Sequence, residues 1–190
     1  NNNELINKKE SSIIKKINEF DFDDLSIYKI EILQSNLKDY VDIFIIINLE
    51  NIKSYKKICT IKSVEQAIVV YENMPDKLVG NCMLFLMRDG INPMWEDEKN
   101  KTGGCFSYKI SNKYVVEVWK KLVYLLCGNS LSIDNKFNKY MNGITISPKK
   151  NFCIIKIWLS VSNLQDPNII VEIPNLSTQG CLFKKHEPEF

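Results

Sequence analysis

Apolar and polar positions along this chain alternate in short runs with two different periods. "VDIFIIINL" at 41–49 is β-branched and aromatic, the composition of a buried strand, and predicts a central one. Ser63 then opens "SVEQAIVVYENM". Val64, Ala67, Ile68 and Tyr71 recur at helical spacing there, and Ser63 and Gln66 stand at the distance of a capping box, so a helix is predicted from this point. "NCMLFLMR" at 81–88 and "CFSYKI" at 105–110 predict strands on either side of a polar stretch. In "YVVEVWKKLVYLL", 114–126, the stripe Val115, Val118, Trp119, Leu122, Leu125 and Leu126 predicts a second helix, ended by Gly128. Further strands are expected at about 143–147, 153–160, 169–174 and 181–184. Strands interrupted by isolated helices predict an α+β fold with the helices on one face of a sheet.

The first forty residues break this regularity. "SSIIKKINEF" (11–20) predicts a short helix and "DFDD" (21–24) a break. Residues 1–40 are therefore read as a variable N-terminal extension, docked through Ile13, Ile14 and Ile17, and 41–190 as the functional domain. A length of 190 residues suits one domain with a sizeable core. The net charge of +2 argues against a broad electrostatic grip on duplex nucleic acid. The chain's richness in Asn, Ile and Lys points to an AT-rich genome. Six cysteines stand without a C-x-x-C pair, which argues against zinc and against a disulfide framework and predicts reduced thiols in the cytoplasm. No secretory signal is recognisable, and "IFIII" at 43–47 is too short to span a bilayer, so no membrane partner is expected. The missing initiator Met suggests a trimmed chain.

One stretch departs from ordinary patterning. "DGINPMWEDEKNKTGG", 89–104, sets Trp95 directly before Glu96, Asp97 and Glu98. A core does not place three acids beside its anchor. An indole face beside a carboxylate is a two-part receptor: the ring attracts a flat cation, and the carboxylate accepts hydrogen bonds from N–H groups on one edge of it. N7-methylguanine has both features. The four letters alone leave a second reading open, with Trp95 as a half-buried loop anchor and the acids as a solvated rim. A calcium loop is disfavoured because the oxygens do not alternate.

The longer string "GINPMWEDEKNKTGG" resembles the signature of the eukaryotic translation initiation factor 4E family, the mRNA 5′ cap-binding proteins. The neighbours agree in order over roughly 40–175: "SVEQAIVVYENM", "MLFLMRDGI", "VWKKLVYLLCG" and "NGITISPKKNFCIIKIW". The resemblance implies a single curved, mostly antiparallel sheet of about seven to eight strands, with two main helices on the convex face and the cap site on the concave one. It implies that Trp95 stacks on the methylated base, that Glu96 reads the guanine edge and that Trp158 lies near the N7-methyl group. The family's other stacking tryptophan has no counterpart in "NLENIKSYKKI". Tyr55 is the aromatic available in what reads as the loop after the first strand. Lys149 falls on the family's phosphate-binding arginine. Ile154 and Cys105 replace two further basic positions, so Lys156, two residues from Trp158, and Lys150 are the other phosphate candidates, with Lys184 and Lys185 offered by location.

The partner surface departs more. Val64 matches the family's valine, but Ile68 stands for its tryptophan and Lys120 for its leucine. The implied partners are capped mRNA and a scaffold initiation factor of the 4G type or an unorthodox equivalent. The divergence fits a large DNA virus or a parasite. The expected function is cap binding that promotes translation initiation; a cap-binding repressor and a degenerate scaffold without cap binding are the alternatives. No cofactor or metal is expected, and no enzyme: His186 is the only histidine and has no nucleophile motif, and adjacent Glu96 and Asp97 point apart.

Overall fold

The computed structural model describes residues 36–49 and 52–187; the helix expected at 11–20 lies outside the described residues. Seven strands form one antiparallel sheet: β1 (Asn36–Leu49), β2 (Ile52–Ser63), β3 (Leu84–Arg88), β4 (Gly104–Ser111), β5 (Met141–Pro148), β6 (Phe152–Leu159) and β7 (Leu182–Lys185). Their order across the sheet is β2-β1-β3-β5-β6-β4-β7. Among the described residues three α-helices, α1 (Val64–Asn73), α2 (Asp76–Asn81) and α3 (Val115–Cys127), join them.

One face of the sheet is covered by helices. Val41, Ile43, Leu84, Leu86, Phe106, Tyr108, Ile110, Ile144, Ile146, Ile155 and Ile157 bury there against Val70, Val118, Trp119 and Leu122. Trp119 is 1% exposed, so the helix tryptophan is a core anchor, and truncating it to Ala is worth about 3–5 kcal/mol. The N-terminus of α1 is closed as its spacing predicts. Ser63 Oγ accepts from the Gln66 N–H, and Gln66 Oε1 accepts in return from the N–H of Lys62, one residue before the cap.

Three elements differ from the sequence reading. β1 lies next to the edge strand β2 and is not central. The segment after it is no loop: β2 pairs with β1 along almost its whole length, and Tyr55 sits on that strand opposite Ile46. A bulge at Ile43/Phe44 makes the alternation illegible, because it turns Ile58 and Cys59 both toward the helix-side core. Residues 169–174 form no strand. Asp166 caps a 3-10 turn at Pro167–Ile169, Pro174 supplies no N–H, and Asn175 takes φ 67°, leaving only isolated bridges.

Candidate functional site

Because side chains alternate across a strand, the cross-strand register says what shares the face opposite the helices. One row reads Lys57, Phe44, Phe85, Thr145, Lys156, Ser107 and Leu182. The next row on that face reads Asp42, Met87, Gly143, Trp158, Cys105 and Lys184. Phe44, Phe85, Met87, Ile91 and Trp158 form a small second core here, against which Met83 and Trp95 pack. Trp158 is fixed by its indole N–H, which donates to Thr145 Oγ1 at 2.6 Å.

The segment 89–103 folds over this face, and its three acids turn out to be different things. Asp97 is structural: its carboxylate accepts from the Asn92 backbone N–H at 2.9 Å, the Asn92 side chain at 3.0 Å and the Lys99 N–H at 2.9 Å. Partial burial pushes its carboxyl up, but these hydrogen bonds outweigh it and hold the group below the ordinary aspartate value. Glu98 pairs with Lys101 at 2.5 Å. Glu96 is exposed and is held by no hydrogen bond or ion pair among the described residues. Asn100, fully buried, ties the loop shut: its amide donates to the carbonyls of Asn92 and Met94, and its Oδ1 accepts from Asn142 at 2.9 Å. The two glycines let the loop return to the sheet. A Cβ at Gly103 would overlap the Leu159 carbonyl, and one at Gly104 would overlap the Phe183 ring.

A depressed folded value gives Asp97 a definite pH signature. Its stabilisation of the loop is complete above the ordinary value of 3.8 and is lost as pH falls through the lower folded value. Asp97→Asn should therefore speed amide exchange at Lys99 and Asn92 at neutral pH, and remove the acid-dependent part of loop opening seen in the parent.

Beside this loop lies a cleft of about 370 Å³ lined by Trp95, Trp158, Cys105, Lys156, Lys184 and His186, with Lys185 and Glu187 at its edge. The sequence candidates Trp95, Trp158 and Lys156 thus meet at one place. Lys184, paired opposite Cys105, adds a charge at the position where the motif lacks one. His186, given no role by the sequence reading, packs against Trp158 with ring centroids 4.9 Å apart, and its Nδ1–H donates to the Asn100 carbonyl at 2.7 Å. Burial lowers its pKa, the Asn100 hydrogen bond opposes this, and the charge of Lys156 lowers it further, so the ring is neutral at neutral pH. Cys105 is buried, which raises its thiol pKa despite the nearby Lys156, Ser107 and Lys184, and such a thiol is a poor nucleophile.

Lys149 and Lys150 stand elsewhere, exposed in the β5–β6 turn, and neither lines the cleft. Lys57 is taken by Asp42 at 2.7 Å. Tyr55 projects from β2 onto the open face, where its ring meets Phe85 edge-on at 5.3 Å and 83°. Burial raises its phenol pKa, and the charge of Glu96 raises it further, which puts Tyr55 and Glu96 within electrostatic reach of each other.

On the helical side, Val64 is exposed and Ile68 half-buried on α1. Lys120, which stands where the family has a leucine, is already partnered. Its Nζ lies 3.6 Å from Asp76 and 5.2 Å from the centre of the Tyr71 ring, and Tyr71 stacks on Tyr124 at 4.2 Å and 29°. Among the described residues no helix is long and apolar enough to cross a membrane, and no group of three or more His, Cys, Asp or Glu could hold a metal ion.

Comparison with known proteins bears on the family and the fold. The model of the family described as Eukaryotic initiation factor 4E matches residues 47–186. A "Eukaryotic translation initiation factor 4E homolog" of Acanthamoeba polyphaga mimivirus is 32% identical over 109 residues, which are 50% of this chain and 40% of that protein. "Eukaryotic translation initiation factor NCBP" of Triticum aestivum is 30% identical over 105 residues, 54% of this chain and 44% of the relative. The chain therefore spans less than half the length of these curated relatives. Among solved structures, the Schistosome eIF4E complexed with m7GpppG and 4E-BP superposes with a TM-score of 0.63 at 20% identity, over 70% of this chain and 76% of that one. Ascaris suum eIF4E-3 with m7G cap gives 0.61 at 18%, over 70% and 77%. At these identities the superpositions establish the fold.

Proposed function

We propose that this chain, which belongs to the eukaryotic initiation factor 4E family, binds the 7-methylguanosine 5′ cap of mRNA and so promotes translation initiation. The observation that carries this is the division of labour within 89–103: Asp97 and Glu98 are spent on the loop itself, and Glu96 alone is left to a ligand beside the half-buried Trp95. Methylation at N7 makes guanine a flat cation, which the Trp95 face attracts. Its N1–H and N2–H₂ donate to Glu96, O6 takes the Trp95 backbone N–H, and Trp158 faces the methyl group. Tyr55 is the second plate. The phosphates run over Lys156 and Lys184, which share the open face on adjacent rows.

The unit that does this is the domain over 41–190. It is a binding module working in the cytoplasm, not an enzyme. Its protein partner, a scaffold factor of the 4G type or an unorthodox equivalent, docks on Val64, Ile68 and the Lys120–Tyr71–Tyr124 stack. Lys120 is already paired with Asp76, so an acidic partner residue has to compete with an existing ion pair.

Retention on 7-methyl-GTP resin tests the function, with elution by free 7-methyl-GTP and not by GTP as the supporting result; flow-through of folded protein would assign the chain to a scaffold role. The phosphate assignment has its own test. Lys156→Ala/Lys184→Ala should weaken 7-methyl-GTP by about tenfold or more while leaving 7-methylguanosine within about twofold, because point charges to phosphate are removed and the stack is not. Titrating both ligands checks this, and equal losses would refute it.

A further inference from the structure

Back to back with the cap cleft lies a larger cavity, a trough of about 690 Å³ at the ends of β1, β3 and β5. We propose that this trough binds single-stranded RNA, taking a phosphodiester and an adjoining base from the strand that leaves the cap. The proposal rests on the cap-binding reading above.

Its lining has the chemistry of a single-strand site. Arg88, Lys99 and Lys139 face it against one carboxylate, Asp89. A chain with 25 cationic and 23 acidic residues has little net charge to spare, so three cations to one acid in a single hollow is a local concentration. The Arg88 guanidinium is held in position: its Nη2 donates to Asn129 Oδ1 at 2.8 Å and its Nε to the Met141 carbonyl at 3.4 Å. At the rim stands Tyr40, 40% exposed, a flat ring of the kind on which an unpaired base stacks. Another cavity, of about 550 Å³ near Ile133 and Leu176, carries Glu172 and no Lys or Arg, and shares none of this chemistry.

Position singles out the occupant. The trough and the cap cleft are separated by one stretch of backbone. Lys99 lines the trough, while the carbonyl of the next residue, Asn100, accepts from His186, which lines the cleft. Asn142, in the trough wall, donates to the Lys99 carbonyl at 2.7 Å and to Asn100 Oδ1, so the dividing wall is fixed. A cap is the end of a strand, and the strand must go somewhere. Crossing the Lys99–Gly103 wall brings its backbone to three cations. An acidic peptide would meet the same charges but has no reason to start at the cap cleft and no base to lay on Tyr40.

The test uses the full chain and three probes: 7-methyl-GTP, a capped ten-nucleotide RNA and the same RNA uncapped. Lys99→Ala/Lys139→Ala removes two exposed charges without touching the cap cleft. It should bind the capped RNA about tenfold more weakly at low salt, and flatten the slope of log K against log salt by about 0.7 for each phosphate that is no longer neutralised. Its affinity for 7-methyl-GTP should be unchanged. Unaltered binding of capped RNA, or an equal loss for 7-methyl-GTP, would overturn the proposal. Should the parent ignore 7-methyl-GTP, the cap reading fails separately, and the uncapped RNA still decides the trough: the variant must bind it about tenfold more weakly, or the trough is no RNA site.

Discussion

Trp95→Ala should lose between about tenfold and a few thousandfold in affinity for 7-methyl-GTP and leave the fold in place. Stacking of a base on an aromatic ring is worth about 1–3 kcal/mol, and the positive charge on N7-methylguanine adds a cation–π contribution of about 0.5–2 kcal/mol depending on how dry the site is. Both vanish with the indole. The fold survives because Trp95 only packs against the edge of the small cluster of Phe44, Phe85, Met87, Ile91 and Trp158, while the main core lies on the opposite face of the sheet. The loop is held by Asp97 and Asn100, not by the ring. Thermal unfolding within a few degrees of the parent, together with failure on the resin, is the expected pair of results. A variant that is still retained would mean that the base sits elsewhere.

The second large effect belongs to Glu96. Glu96→Gln keeps the volume but removes the charge, and turns one of two acceptors into a donor aimed at the N–H edge of guanine. Hydrogen bonds to charged groups contribute about 1.5–3 kcal/mol, so a loss of roughly 10- to 150-fold is expected. Preference for the methylated base over GTP should survive, because stacking on Trp95 does not depend on Glu96. Loss of the methyl preference with little loss of affinity would reverse these two roles. The neighbouring Asp97→Asn distinguishes direct ligand recognition from a loop effect: it should loosen 89–103 as a whole, whereas Glu96→Gln should leave amide exchange there unchanged.

How far the chain can be read without its structure follows from the range of the interactions involved. α1 and α3 are legible because caps and stripes are local: Ser63 and Gln66, or Val115 to Leu126, act within a few residues of each other. β2 is not, since its bulge spoils the period of two, and the sequence consequently places Tyr55 on a loop. The strand expected at 169–174 gives way to two prolines and a positive-φ asparagine. In the site, Trp95, Glu96, Trp158 and Lys156 stand out by motif and spacing. His186 does not, and Lys184 is offered only by location, because their place depends on β7 pairing with β4, far back along the chain, a register no local pattern encodes. Lys120 shows the same limit: its partner Asp76 sits on α2, a six-residue helix that the sequence pattern does not announce.

The most direct test of the central claim is a calorimetric titration of the full chain with 7-methyl-GTP and, in parallel, with GTP. Cap recognition through Trp95 and Glu96 predicts saturable 1:1 binding of 7-methyl-GTP about 2- to 30-fold tighter than GTP, since only the methylated base offers a cation to the indole. Equal affinity for the two nucleotides, or no binding of either by folded protein, would contradict it.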